Sequence, residues 1–156
     1  MKTRLLIPIV MVGMILETFT FMLSAFGQNN SAIDSLENIL DTVIADTTKL
    51  KCLNELRDQY GRITEYEMAI QYAESAIELA TNLNYKQEIA QNHQKIGFFY
   101  AMLHNYPEAL HHFSAALVIF DEIADTTGIS NSYNNIGYIY TCLLYTSDAA
   151  DECVNV

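Results

Sequence analysis

The chain has 156 residues, room for one small domain once any targeting segment is set aside. Its net charge is −11, from 8 basic and 19 acidic residues. That balance argues against nucleic acid, whose phosphates demand clustered lysine and arginine, and against a peripheral seat on anionic lipid.

The N-terminus has the layout of an export signal. Lys2 and Arg4 precede a near-continuous apolar run from Leu5 to Leu16, and Ala25-Phe26-Gly27 places small residues at the two positions a signal peptidase reads. Residues 1–27 are therefore expected to be a secretory signal, cleaved before Gln28. The competing reading is an uncleaved membrane anchor, because apolar character resumes from Phe19 to Phe26. No cysteine stands at the cleavage point to carry a lipid.

Residues 28–47 are expected to form a short linker and a capping helix. Ser31 can cap it, and Ile33, Leu36, Ile39, Leu40, Val43 and Ile44 follow at helical spacing. Asp46-Thr47-Thr48 then reads as a break and restart, chemistry that returns at Asp125-Thr126-Thr127.

From there the chain repeats itself over residues 48–141. Leu56, Ile96 and Ile136 are 40 residues apart, as are Tyr60, Tyr100 and Tyr140. Ala69 and Ala109 share the interval, and so do Ala76 and Ala116. The position filled by Gly97 and Gly137 holds Arg57 in the first copy. Within one copy, Ile96, Gly97 and Tyr100 lie on one helix face, Asn105 and Pro107 break and restart the helix, and Ala109, Phe113 and Ala116 line a second helix. Thr64 with Glu67 reads as a capping box, and Asn84 with Gln87 as another. Ala69, Ala73, Ala76 and Ala80 form a small-residue stripe that lets two helices approach closely.

This pattern resembles the tetratricopeptide repeat (TPR), a helix–turn–helix unit of about 34 residues that stacks into a solenoid. The resemblance implies an all-α, right-handed stack of antiparallel hairpins, with repeats near 50–83 and 90–123 and a truncated third at 130–141. The longer interval implies longer helices or a longer inter-repeat turn. Helices are expected at about 31–45, 48–61, 65–82, 85–103, 106–123 and from 127. In such a stack the first helix of each hairpin lines a concave, partner-binding face. Projected onto this sequence, that face takes Lys51, Asn54 and Asp58, then Gln91, Gln94, Phe98 and Ala101, then Asn131, Asn134 and Tyr138. It is amide-rich with an aromatic line, suited to a peptide backbone. It lacks the lysine and arginine cluster by which some family members clamp a C-terminal carboxylate.

The stretch CLLYTSDAADE, residues 142–152, resembles the translation of a sequencing adapter, which implies that residues 142–156 are a non-native tail. The tail is expected to add no stability and to leave Ile136 and Tyr140 partly uncovered. Setting it aside leaves Cys52 as the single cysteine and a net charge of −9 over residues 28–141, from 6 basic and 15 acidic residues.

No catalytic, cofactor or metal motif stands out. His93, His104, His111 and His112 are the acid–base and metal candidates, but the adjacent His111 and His112 diverge by about 100° on a helix. They read as solvated or partly packed. No HExxH, CxxC or glycine-rich phosphate loop is present. The export signal, the helix rich in Asp, Ser and Leu, the DTTK turn and the SYNNIG repeat make residues 28–141 similar to the extracytoplasmic region of Bacteroidetes-type TPR sensor histidine kinases. That resemblance implies a sensory module for a protein or peptide, followed in the natural protein by a membrane span and an output domain. The alternative is a free secreted or periplasmic TPR scaffold.

Overall fold

The computed structural model describes residues 31–41 and 45–154, with side chains described as far as Leu144. All of its regular structure is helical. Helix α1 covers residues 31–41. Then come α2 (Asp46–Arg62), α3 (Tyr66–Asn82), α4 (Lys86–Met102), α5 (Tyr106–Glu122) and α6 (Thr126–Val154). Each helix from α2 onward packs on its chain neighbour; α4 and α6 also meet, lightly, and side chains join α2 to α4. This is the TPR-type stack of antiparallel hairpins that the period implies. Residues 1–27, and Val43 and Ile44 of the expected capping helix, lie outside the described residues.

The 40-residue period turns out to be two equal halves. Helices α2 to α5 each have 17 residues. Each is followed by the same turn, with Thr64, Asn84, His104 and Ala124 at positive φ, every twenty residues. The amide after each of them reaches back to close the helix: Glu65 to the Tyr60 carbonyl at 3.0 Å, Tyr85 to Ala80 at 2.8 Å, Asn105 to Tyr100 at 2.9 Å and Asp125 to Phe120 at 2.9 Å. These are Schellman closures, which satisfy the last carbonyls of the helix by way of one left-handed residue. Longer helices, rather than a longer inter-repeat turn, account for the period.

The turns correct the expected caps. Thr64 and Asn84 are the left-handed residues that end α2 and α3, not the N-caps of the following helices. Those N-caps are Glu65 and Tyr85, and neither uses its side chain. Asp46, Thr47 and Thr48 lie inside the first turn of α2, whose N-cap is Ala45. Two caps do form. Asn105 Oδ1 accepts from the Glu108 amide at 3.5 Å, and Asp125 Oδ1 accepts from the Thr127 and Gly128 amides at 3.1 and 3.0 Å.

The core is built from the small and aromatic positions that recur. Ala69, Ala73, Ala76 and Ala80 are all fully buried, as are Leu56, Ile96, Ala109 and Ala116. Gly128 permits the closest approach, where a Cβ would stand 2.3 Å from Phe120 Cδ1, and at Gly97 one would stand 2.8 Å from Phe113 Cδ1. Helix α1 covers the first repeat, with Ile33 buried and Leu40 packed on Leu50, Leu53, Ala76 and Ala80. It is also tied by Glu37, whose Oε1 accepts from the Tyr60 and Tyr72 hydroxyls at 2.8 and 2.9 Å. Burial, then that carboxylate, raises both phenol pKa values. Ile39 falls off the expected apolar face and is exposed.

Helix α6 reports what a first helix looks like with only one neighbour. Besides Gly128 near its start, its buried residues among those described are Ser132 and Ile139, which match Asn92 and Phe99 of α4 at the 40-residue interval. Phe99 packs on α3 and Ile139 packs on Ala109 and Phe113 of α5, so this face looks back to the preceding hairpin. The forward face, which carries Gly97 and Tyr100 in α4, is open in α6: Tyr140 is 57% exposed and a Cβ on Gly137 would meet nothing within 4 Å, while Ile96 and Ile136 pack back on the preceding hairpin. The backbone of α6 does not stop at Thr141 but continues helically to Val154. One contact runs against an inert tail, since Leu143 packs on the Ala109, Phe113 and Ile139 cluster.

Replacing Gly97 or Ala109 with leucine overpacks the α4–α5 crossing and should cost roughly 1–3 kcal/mol in thermal or urea unfolding, whereas the same change at the exposed His111 should cost little. The reverse ranking would break this helix register. Conversely, Ala124→Gly should stabilise the chain by about 1 kcal/mol, because alanine carries a steric penalty in the left-handed turn that glycine lacks. A lower melting temperature for this variant would contradict the turn assignment.

Candidate partner-binding face

The residues projected onto the concave face fall on one stripe repeated in α2, α4 and α6. Lys51, Gln91 and Asn131 are exposed, Asn54 and Gln94 are half-buried and Asn134 is exposed. Asp58 is half-buried, while Phe98 and Tyr138 are exposed and Ala101 is half-buried. The stripe divides by chemistry into a polar end on α2 and an aromatic end on α4 and α6.

The polar end is organised by Arg57, which stands where the later copies have glycine. Its side chain is buried and reaches across to α4. Its Nη1 donates to Asn92 Oδ1 at 2.6 Å and to Asn54 Oδ1 at 2.8 Å. Its Nε and Nη2 donate to the Asp58 carboxylate at 3.1 and 3.0 Å. Asn54 in turn donates to Glu88 Oε2 at 2.9 Å, and Lys95 Nζ lies 3.5 Å from Asp58. Burial alone would raise the Asp58 carboxyl pKa, but the Arg57 and Lys95 cations outweigh it and the net shift is downward. A buried guanidinium needs this many acceptors. Two of the projected contact residues, Asn54 and Asp58, are thus occupied in holding α2 to α4. Sequence reasoning marks Arg57 only as a missing glycine.

The aromatic end is a groove between α4 and α6. A cavity of about 360 Å³ is walled by Phe98, Ala101, Met102 and Tyr138 and floored by Phe113 and Ile139. Phe98 is 49%, Met102 47% and Tyr138 66% exposed. Phe98 also borders a smaller cleft of about 260 Å³ that includes Asp58, Arg62 and Lys95, so it joins the apolar groove to the charged end. The sequence projection misses Met102, although its place one residue beyond Ala101 is the available signal. On α4, Gln94 Nε2 is buried without a hydrogen-bond partner.

On another face of α4 the sequence hid a histidine pair. His93 Nδ1 of α4 and His112 Nδ1 of α5 lie 3.0 Å apart, with Tyr100 stacked on the His112 ring at a centroid distance of 5.6 Å. At that distance the two nitrogens can share one proton but cannot both carry one. Burial, then the neighbouring imidazoles, holds the His112 pKa down to about 4 and also lowers that of His93. Among the described residues no group of three or more His, Cys, Asp or Glu side chains is placed to hold a metal. No helix among them is long and apolar enough to cross a membrane.

No protein-family profile matches the chain, and no curated protein does. Among solved structures the fold recurs. The apo form of RapI superposes with a TM-score of 0.68 at 19% identity, over 83% of this chain and 48% of RapI. Aspartyl phosphate phosphatase F from Bacillus subtilis gives 0.68 at 20% identity, over 81% of this chain and 34% of its own. A Rap protein complexed with Competence and Sporulation Factor gives 0.63 at 22% identity, over 81% and 37%. The chain spans between a third and a half of the length of these proteins. At such identities the likeness is one of fold, and the fold is a TPR-like helical repeat.

The histidine pair sets a pH dependence. The unfolded chain takes up a proton at His112 near pH 6.5, whereas the folded chain resists until about pH 4. The pair's contribution is therefore intact above pH 6.5 and declines as pH falls toward 4. The melting temperature should drop across that window in the full chain, and His112→Phe, which keeps the stack on Tyr100, should flatten the drop. An unchanged pH profile in the variant would rule the pair out as its source.

Proposed function

We propose that this chain is a non-catalytic, protein- or peptide-binding repeat module, exported from the cytoplasm and forming the N-terminal part of a larger membrane-anchored bacterial signalling protein of the sensor-kinase type. The observation that carries the binding reading is the groove between α4 and α6, where Phe98, Met102 and Tyr138 stand exposed around an apolar floor. Such rings in concave sites are suited to anchor one apolar side chain of an extended partner. One structure of similar fold is itself a complex, of a Rap protein with Competence and Sporulation Factor. Export rests on the charged and apolar layout of residues 1–27, and the signalling context on the resemblance carried by residues 28–141.

The binding reading is tested by selecting a random-peptide display library on the full chain and measuring the recovered peptides against variants. Phe98→Ala and Tyr138→Ala should each weaken binding by roughly tenfold, with little change in melting temperature because both rings are largely solvent-facing. Wild-type affinity in both variants would remove the groove as the site. The natural reading frame tests the context: a downstream membrane span and output domain support it, and a stop codon after further repeats would replace it with a free periplasmic scaffold.

A further inference from the structure

Charge is sorted by layer in this stack. Between residues 28 and 141 all 6 basic residues lie on first helices of the hairpins: Lys49, Lys51, Arg57 and Arg62 on α2, Lys86 and Lys95 on α4. The same helices carry the acidic residues Asp46, Glu55, Asp58 and Glu88, and α6 has no charged residue as far as Thr141. The second helices are the reverse. Helices α3 and α5 carry Glu67, Glu74, Glu78, Glu108, Asp121 and Glu122 and no basic residue. The layer that walls the groove is thus net positive, although the stretch as a whole is strongly acidic. A helix is about 10 Å across, and charges that far apart in physiological salt are largely screened, so the acidic layer does not cancel the field over the basic one. Two cations stand where a partner can reach. The cleft of about 260 Å³ between α2 and α4 is bordered by Asp58, Arg62, Lys95 and Phe98. Arg62 is exposed and, among the described residues, has no ion-pair partner. The Lys95 side chain is 50% exposed and lies 3.5 Å from Asp58, a carboxylate that the enclosed Arg57 already holds at 3.1 and 3.0 Å. Lys86, by contrast, is paired with Glu122 at 2.9 Å.

We propose that the occupant of the groove is an acidic segment of a protein partner. It seats an apolar side chain among Phe98, Met102 and Tyr138 and lays a neighbouring Asp or Glu carboxylate against Arg62 and Lys95. This rests on the peptide-binding reading of the groove and names its chemistry. Phe98 borders both spaces, so the two contacts fall on adjoining stretches of one extended chain. Guanidinium and ammonium groups donate charge-assisted hydrogen bonds to carboxylates. Arg62 has that capacity unused, and Lys95 is the outer of two cations on one carboxylate, so it can turn outward while Asp58 keeps Arg57. No acidic residue lines the groove, so an incoming carboxylate meets no like charge there. The net charge of −11 taken alone favours a basic partner. The layered distribution favours the opposite, which separates the two readings by experiment.

Fluorescence anisotropy on the full chain tests this, with labelled serine-rich peptides blocked at both ends. Each carries a central Phe and, at one neighbouring position in turn, Glu, Gln or Lys. At one or more positions the Glu peptide should bind roughly threefold or more tighter than its Gln twin, and the Lys peptide weaker than both. Added salt should shrink the gap. Arg62→Gln combined with Lys95→Gln should bring the Glu peptide down to the Gln level. The Gln peptide's affinity and the melting temperature should hold, because both cations face solvent and Asp58 keeps Arg57. Lys86→Gln, a loss of charge away from the cleft, should keep the preference. Equal affinity for Glu and Gln peptides, or a preference for Lys, would overturn the acidic partner while leaving Phe98-dependent binding in the groove intact. A preference that Lys86→Gln removes as fully as the cleft variant would overturn the cleft as its source. Binding of no peptide, or binding that Phe98→Ala leaves unchanged, would remove the groove reading and this inference with it.

Discussion

Everything in this stack depends on the left-handed residue that closes each helix. Thr64, Asn84, His104 and Ala124 reverse the chain in three residues and return it antiparallel to the helix just completed. The reversals are uniform, so helices of one length alternate at one pitch and each forward face meets the next helix in the same register. The close crossing of Gly97 with Phe113 and the recurrence of buried alanines both presuppose that register. None of the four residues is glycine, so the backbone strain at each turn is offset by the closing hydrogen bonds and by the packing that follows.

On the concave side the same register aligns three helices whose side chains differ. Arg57 converts the α2–α4 junction into a fully paired polar seam, which fixes that end of the face and leaves it little capacity for a partner. At the other end, between α4 and α6, no such pairing intervenes, and rings stand open over an apolar floor. A face with one end rigid and one end receptive follows from a single substitution in the repeat, arginine for glycine.

The repeat is legible in the sequence because packing positions recur in type: tyrosine at 60, 100 and 140, alanine at 69 and 109. Turns are less legible. The usual glycine marker is absent from them, so Thr64 and Asn84 present themselves as caps for the next helix when they close the previous one. Polar contacts across helices are not legible at all. Arg57 with Asn92, and His93 with His112, are joined by side-chain reach over distances that no periodicity reports. On α6 the repeat signature points to Ile136 and Tyr140 as the inner face, yet Ile139 is the buried residue. A first helix has two packing faces, and the signature draws on both: Ile136 packs back on α5, whereas Tyr140 sits on the face that needs a following helix.

The linear arrangement of neighbours has a kinetic meaning as well. Helices α3, α4 and α5 are each held on two sides, whereas α6 leans chiefly on α5. In a chain whose contacts are mostly local, cooperativity passes from one hairpin to the next rather than through a shared centre. Opening should then travel inward from the α6 end, with amide protection highest in α3 and α4 and decaying toward Leu144. At the opposite end Glu37, held by two tyrosine hydroxyls, gives α1 a polar latch that α6 does not have. The described stack is thus directional: its α6 end is held more loosely than its α1 end.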